Sequence, residues 1–457
     1  MLTNFKHQTD VIERFKDDSR GAIFLEMGLG KSRIAIKIAE HQFNQKNITA
    51  VMIVMPKSLL TNWANIEIPT HSDNPYSIYM WHGKEKTAFK NGQMQYFLVN
   101  HDAIITDNFN PIFKQFYTTH KKFMLVAEES TGFKSIKAKR TKRIISIASL
   151  ATSKFLLTGA PITQSPLDVF SQFEILSPMA LGHKNIFSFR AKYAVIKKIV
   201  LGPRSFDKIV GYQNLSDLTA RINKLGVIMK KEDILDLPEI MFRKFPVELT
   251  AEQSIAYEDL RDRALAYIRD NEISAINAVS LINKLLQICS GQVKMPDKAY
   301  INVETNRIEA LQELVEEHAG KTVIWSAFVR SGHLIAEALG DQCVHVRAEH
   351  KQEERFALLE QFRKGDKKAL VMNPASGGMG ITLIESSNVI YYDRSYNYEH
   401  RIQSLARNHR IGQTKGVLVT DMYSPGTIEE KVIEILKEKE RIANLVINNE
   451  FVKDLLQ

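Results

Sequence analysis

The sequence predicts an α/β protein made of two parallel-sheet halves in tandem with a helical stretch between them. Up to about residue 180, short apolar runs ("AIFLE", "AVMIVMP", "YFLVN", "FMLVA", "KFLLTG") alternate with amphipathic stretches such as "KSRIAIKIAEHQF" and "TKRIISIASLA". That alternation builds strand-helix units on a parallel sheet. It recurs beyond residue 320 in "KTVIWSAF", "QCVHV", "KALVMNP", "NVIYYD" and "VLVTDMY". Between the two, "EQSIAYEDLRDRALAYIRDN" and "ISAINAVSLINKLLQI" carry apolar residues at helical three- and four-residue spacing. The expected layout is a first sheet domain over 1–178, a helical insertion and bridge with protrusions over 179–304, and a second sheet domain over 305–457.

Length agrees, since 457 residues exceed the roughly 250 to 300 at which a single core stops growing. Apolar content of 44% with 25% charge describes ordinary folded domains. The net charge of +9 admits a polyanionic partner, because clustered Lys and Arg displace counterions from nucleic acid. A basic patch, "KYAVIKKIVLGPRSFDK", opens the middle stretch. Two cysteines, Cys289 and Cys343, make neither a disulfide framework nor a four-ligand zinc site. The opening "MLTNFKHQTDVIERFKDD" has no apolar signal core, and no apolar run approaches the roughly 18 residues of a membrane span. A soluble, cytoplasmic protein is the expectation.

The first element with chemistry is "LEMGLGKSR", which follows the strand "GAIFL" and leads into a helix. Gly28 and Gly30 let the backbone turn its amides inward, Lys31 reaches outer phosphates, and Ser32 offers a hydroxyl to magnesium. Leu25 stands where the general phosphate-loop pattern has glycine. The second element is "FMLVAEESTGFKS", a strand running into two adjacent acids, Glu128 and Glu129. A magnesium nucleotide site needs one carboxylate for the metal and often another for water. Neighbouring residues leaving a strand point apart, so both serve one site only if a turn begins there; two solvated loop acids are the alternative.

Taken with "HQ" at His7 and Gln8, "VMIVMPKSLLTNW", "LLTGAPITQSPLDVFSQFEIL", "MKKEDILDLPEI", "PASGGMGITL" and "QSLARNHRIGQTK", these stretches occur in the order of a known family. The chain resembles the Swi/Snf-like ATPases of helicase superfamily two over nearly its whole length. The resemblance implies two RecA-like domains with ATP and Mg2+ between them. By that resemblance Gln8 reads adenine, and Met27, Gly28, Leu29, Gly30, Lys31, Ser32 and Gly380 hold the nucleotide. Ser32 and Glu128 hold magnesium, Glu129 activates the attacking water, and Arg407 and Arg410 are arginine fingers. The family has Asp where this chain has Glu128, and the extra methylene can shift an ion that demands near-ideal geometry. Slower hydrolysis with ATP binding intact is the expectation.

The same resemblance turns Pro56, Lys57, Ser58, Asn100 and His101 from the first domain, and Ser376, Gly377 and Gly378 from the second, toward DNA. Backbone phosphate contacts carry no base code, so little sequence preference is expected. "TGAP", Thr158 to Pro161, links hydrolysis to DNA grip in the family, while Trp81 and Trp325 read as core or interface aromatics. Short inserts make the chain similar to the compact bacterial, prophage and phage members. The expected function is an ATP-dependent DNA translocase or helicase, a monomeric motor on duplex, forked or branched DNA in replication, recombination or repair. The alternatives are a nucleotide-gated DNA-binding protein with weak ATPase, motivated by Glu128, and an ATPase that displaces proteins from DNA.

Overall fold

A computed structural model describes residues 3–81, 89, 92–201, 204–270, 275–294, 300–375, 381–395 and 397–447. The chain divides into two compact units, one reaching to Leu235 and taking back the residues from Lys439, the other Asp236–Glu438. Among the described residues no helix is long and apolar enough to cross a membrane.

The first unit is a seven-stranded sheet. Its strands are β1 (Arg20–Leu25), β2 (Ala50–Met55), β3 (Tyr76–Met80), β4 (Met94–Asn100), β5 (Phe123–Glu128) and β6 (Ser153–Leu157), followed after a separate hairpin, β7 (Ala194–Leu201) with β8 (Arg204–Tyr212), by β9 (Gly226–Met229). The order is β3-β4-β2-β5-β6-β1-β9, with every neighbouring pair parallel. β2 and β5 are buried along their whole length, as a sheet covered on both faces requires. The helix Lys31–Asn44 buries Ile34, Ala35, Ile38 and Ala39 at three- and four-residue spacing in the core that also holds Ile23, Ile53 and Val126. Parallel pairing has a direct consequence for chemistry. Leu157 is the register partner of both Ile23 and Glu128, so β1, β6 and β5 deliver their carboxyl ends to one edge of the sheet, where ligands of such sheets bind.

The second unit is a six-stranded parallel sheet of β10 (Ile240–Pro246), β13 (Lys321–Trp325), β14 (Cys343–Val346), β15 (Ala369–Met372), β16 (Ser386–Tyr391) and β17 (Val417–Tyr423), in the order β10-β17-β16-β13-β15-β14. β11 (Gln292–Lys294) and β12 (Tyr300–Asn302) form a small antiparallel pair. Alternate residues fill two cores: Val323, Trp325, Leu370 and Val389 on one face, Ile324, Val371, Ile390 and Met422 on the other. Trp81 and Trp325 are both buried.

The stretch 179–304 was expected to be helical. The helices Ala251–Asp270 and Ala275–Cys289 are present, but β9 completes the first sheet by pairing with β1, and β10 completes the second by pairing with β17. The division therefore falls inside this stretch, between Leu235 and Asp236, because sheet pairing rather than helical content decides which unit a residue joins.

One ion pair lies wholly out of water in the second unit. Arg307 donates to Glu429 at 3.0 and 2.5 Å, to the Tyr392 carbonyl at 3.0 Å and to Ser424 Oγ at 2.8 Å, and both side chains are fully buried. The geometry ties the start of the helix Arg307–Glu317 to the segments after β16 and β17. Removing one member leaves an uncompensated buried charge, a loss of about 3–5 kcal/mol. Glu429→Ala should therefore lower the denaturant midpoint of the second unit, read by Trp325 fluorescence in a chain with Trp63 and Trp81 replaced by Phe; an unchanged midpoint would show that the pair does not hold the unit.

Candidate active site

The loop leaving β1 reverses through two left-handed glycines, Gly28 at φ 94° and Gly30 at φ 82°, a conformation that costs glycine little. A Cβ at Gly30 would stand 2.2 Å from Gln8 Nε2, so a side chain there would displace the Gln8 amide from the loop. Gln8 Nε2 donates to the Leu29 carbonyl at 3.3 Å, and His7 Nε2 donates to the same oxygen at 3.0 Å. Leu29 itself is core, and Met27 packs on the "TGAP" turn, where a Cβ on Gly159 would lie 3.2 Å from the Met27 nitrogen. Lys31, mostly buried at the helix start, donates to the Leu25 carbonyl at 2.8 Å. Ser32 follows it in the first helical turn. From the other side, Lys231 places its backbone N–H 2.9 Å and its ammonium 3.7 Å from the Glu26 carboxylate.

The acidic pair leaves β5 as two different environments. Glu128 is the last strand residue; Glu129 adopts left-handed backbone, φ 47° and ψ 59°, and starts a short 3-10 turn, Ser130–Phe133. For a residue with a Cβ that conformation costs about 1–3 kcal/mol. The turn required for two adjacent acids at one sheet edge thus begins at Glu129. The Glu128 side chain is buried and its Oε2 has no hydrogen-bond partner. Burial first, and the neighbouring Glu129 charge second, push its pKa up to about 8, against the opposing pull of Lys31. Glu129 Oε2 instead accepts from Thr158 Oγ1 at 3.0 Å, and Thr158 Oγ1 accepts from the Ala160 nitrogen at 3.2 Å.

A buried polar network braces this turn. Ser130 Oγ donates to Gln172 Oε1 at 2.7 Å, and Gln172 Nε2 donates to the carbonyls of Pro161 at 2.8 Å and Asp168 at 2.9 Å. Ser171 Oγ donates to the Phe133 carbonyl at 2.7 Å. The "TGAP" turn and the acidic turn are thereby fastened to one helix, Asp168–Leu176. Sequence reading missed Ser130, Ser171 and Gln172. The available signal was a pair of polar residues inside the otherwise apolar "VFSQF" of a buried helix.

The residues expected at DNA fall into different settings. Pro56 precedes a 3-10 turn in which Lys57 and Ser58 are exposed. Asn100 caps the turn after β4, accepting from the nitrogens of Asp102 and Ala103 at 3.0 and 2.9 Å. His101 is buried beneath the acidic turn: its Nε2 donates to the Glu128 carbonyl at 3.0 Å, and a Cβ on Gly132 would meet its ring at 2.7 Å. Burial pushes its pKa down to about 4. Ser376, Gly377, Gly378 and Gly380 lie outside the described residues.

In the second unit Arg407 and Arg410 follow the helix Tyr398–Leu405. Both donate to the carbonyl of Ile381, at 3.4 and 3.2 Å. The same segment is laced to them by Leu383 N to the Arg407 carbonyl at 2.9 Å, Asn408 Nδ2 to the Leu383 carbonyl at 3.0 Å and Gln413 Nε2 to the Ile384 carbonyl at 3.1 Å. Gly412 turns the chain at φ 98°. The two guanidinium groups are thus set by the backbone of residues 381–384.

The geometry at Glu128 gives a pH dependence. With its pKa raised to about 8, the folded chain holds a proton that the unfolded chain gives up in the ordinary carboxylate range, so stability falls as pH rises from that range to about 8 and the loss is complete above it. Glu128→Gln should flatten this decline when melting temperatures at pH 5 and pH 9 are compared with the parent; an identical decline in the variant would sink the buried-acid account.

Comparison with known proteins follows the same lines. Residues 10–294 match the SNF2-related domain and residues 306–412 match the helicase conserved C-terminal domain. The chain is 26% identical over 464 residues to an uncharacterized ATP-dependent helicase of Mycoplasma genitalium, covering 97% of this chain and 42% of that protein. It is 22% identical over 474 residues to the mouse SWI/SNF-related matrix-associated actin-dependent regulator of chromatin subfamily A member 1, covering 96% and 42%. The chain thus spans less than half the length of these curated relatives. The Sulfolobus solfataricus SWI2/SNF2 ATPase core in complex with dsDNA is 21% identical, with a TM-score of 0.44, covering 99% of this chain and 95% of that one. With its glycine-turned loop, acid-ended strand and "TGAP" turn at one sheet edge inside a match that takes in most of its residues, the chain belongs to the SNF2-related family.

Proposed function

We propose that the chain is an ATP-dependent DNA translocase or helicase, a monomeric motor acting on duplex or branched DNA and remodelling forks and junctions in replication, recombination or repair. The observation that carries the reading is the convergence at one sheet edge of Lys31, the split acids Glu128 and Glu129, and Thr158 on Glu129. The related Mycoplasma proteins are named ATP-dependent helicases.

In this reading Gln8 and residues 27–32 hold ATP, with Lys31 exchanging the Leu25 carbonyl for a phosphate oxygen. A buried carboxylate oxygen without a partner is a fitting ligand for a cation, and Glu128 with Ser32 would hold magnesium, which neutralises phosphate oxygens. Glu129, oriented by the Thr158 hydroxyl, takes the proton of the attacking water. Arg407 and Arg410 supply guanidinium charge to the transferring phosphoryl group. Lys57, Ser58 and Asn100 at the ends of β2 and β4 face the DNA backbone. His101 supports the acidic turn from below. ATP turnover with duplex, forked, Holliday-junction and single-stranded DNA tests the reading, with Lys31→Ala as the dead control. Turnover stimulated by DNA and abolished in the variant is the expected result; turnover indifferent to every nucleic acid would overturn it.

A second reading, a nucleotide-gated DNA-binding protein with weak ATPase, is favoured by the burial of Glu128 with its Oε2 lacking a hydrogen-bond partner. Glu128→Asp separates the two. The motor reading expects about a tenfold gain in turnover, equivalent to roughly 1.4 kcal/mol of barrier, and a variant that stays at background would favour the binding protein.

A further inference from the structure

The β7–β8 hairpin stands apart from both large sheets, and no part of the nucleotide chemistry uses it. Its base is firmly set. Tyr193, fully buried, packs on Phe189 with centroids 4.7 Å apart and donates from its hydroxyl to Asp217 at 2.6 Å, and Gln213 N donates to the Tyr193 carbonyl at 3.0 Å. The strands that leave this base stay in solvent, with Phe206 50% and Val210 52% exposed.

The register shows how charge is distributed. Lys197 lies directly opposite Lys208, and the next pair on the same face is Ile199 opposite Phe206. On the other face Lys198 lies opposite Asp207, beside Ile196 opposite Ile209. One face therefore pairs opposite charges, and the other sets two ammonium groups side by side. Like charges directly opposite destabilise a two-stranded ribbon, and a ribbon of two strands is marginal to begin with. Among the described residues of that face there is no acid to relieve them. An exposed aromatic ring and a branched aliphatic adjoin the two cations.

We infer that this face, Lys197, Lys208, Ile199 and Phe206, is a second nucleic-acid contact that binds DNA with unpaired bases, the lysines on phosphates and the Phe206 ring stacked on an exposed base. The inference rests on the motor reading and deepens it, because a stacking residue distinguishes forks with unpaired arms from continuous duplex. Phosphates relieve the like-charge pair by releasing counterions, and every base offers a π face whatever its identity. A second copy of the chain would bring the same positive face and is disfavoured by charge.

Equilibrium binding of the full chain, followed by fluorescence anisotropy on a fork with unpaired arms and on a blunt duplex, tests this. Phe206→Ala should weaken fork binding about tenfold and leave duplex binding within about twofold, and Phe206→Trp should restore it. The double change Lys197→Glu and Lys208→Glu should weaken fork binding and reduce its salt dependence. Parent-like fork affinity in all variants, alongside DNA-stimulated ATP turnover in the parent, overturns the hairpin and leaves the motor standing. A parent that binds no DNA overturns both. Unchanged DNA affinity with altered sedimentation assigns the face to self-association and also overturns the inference.

Discussion

A carboxylate taken out of water without a partner is the constraint around which the first unit's sheet edge is organised. The central strands of a parallel sheet are covered on both faces, so whatever ends β5 is buried with it, and the residue there is Glu128. An isolated ionised carboxylate in such surroundings costs far more than a folded domain can spare, and the group responds by keeping its proton. Lys31 is the cation that lowers this cost, but its ammonium is hydrogen-bonded to Leu25 rather than to the acid. The Oε2 of Glu128 is consequently left without a hydrogen-bond partner.

Glu129 escapes the same fate through backbone geometry. The left-handed turn at φ 47° sends its side chain to Thr158, a neutral donor that orients the carboxylate at 3.0 Å. Keeping a strained residue in place needs overdetermination, and the network of Ser130, Ser171, Gln172 and His101 supplies it through hydrogen bonds at 2.7 to 3.0 Å. Each such bond contributes about 1 kcal/mol net, so several together match the strain of one turn. Because Gln172 bonds Pro161 as well as Ser130, one side chain joins the "TGAP" turn to the acidic turn.

Most of the sheet was legible because doubly buried strands are written as unbroken apolar runs: "AVMIVM" and "FMLVA" could be read directly. β3, β9 and β10 were not. "YSIYM" and "GVIM" are short and only partly buried, and "IMFRKFP" sits at a sheet edge with Met241 and Phe242 exposed, so neither a run nor a clean alternation marks them. The glycines and lysine of the cradle announced themselves because their chemistry is local to five residues. The support of the acidic turn did not, since His101, Thr158 and Gln172 reach it from other strands and helices, and nothing in their spacing along the chain encodes that meeting. The split of Glu128 from Glu129 was legible as a requirement, a turn between them, but the burial that makes one acid neutral is a tertiary property.

The cations show a common arrangement. Lys31 donates to the Leu25 carbonyl, and Arg407 and Arg410 donate to the carbonyl of Ile381. A neutral carbonyl satisfies a buried cation well enough to avoid the cost of a bare charge. It does not neutralise the cation's charge, as an anionic oxygen would. In the proposed motor the acceptor that a phosphate would displace at either place is backbone: Leu25 ends β1, and Ile381 begins the segment laced to "LARNHRIGQ". The carbonyl contacts keep the charge in position, and in that reading its capture by phosphate would act directly on the backbone of each sheet.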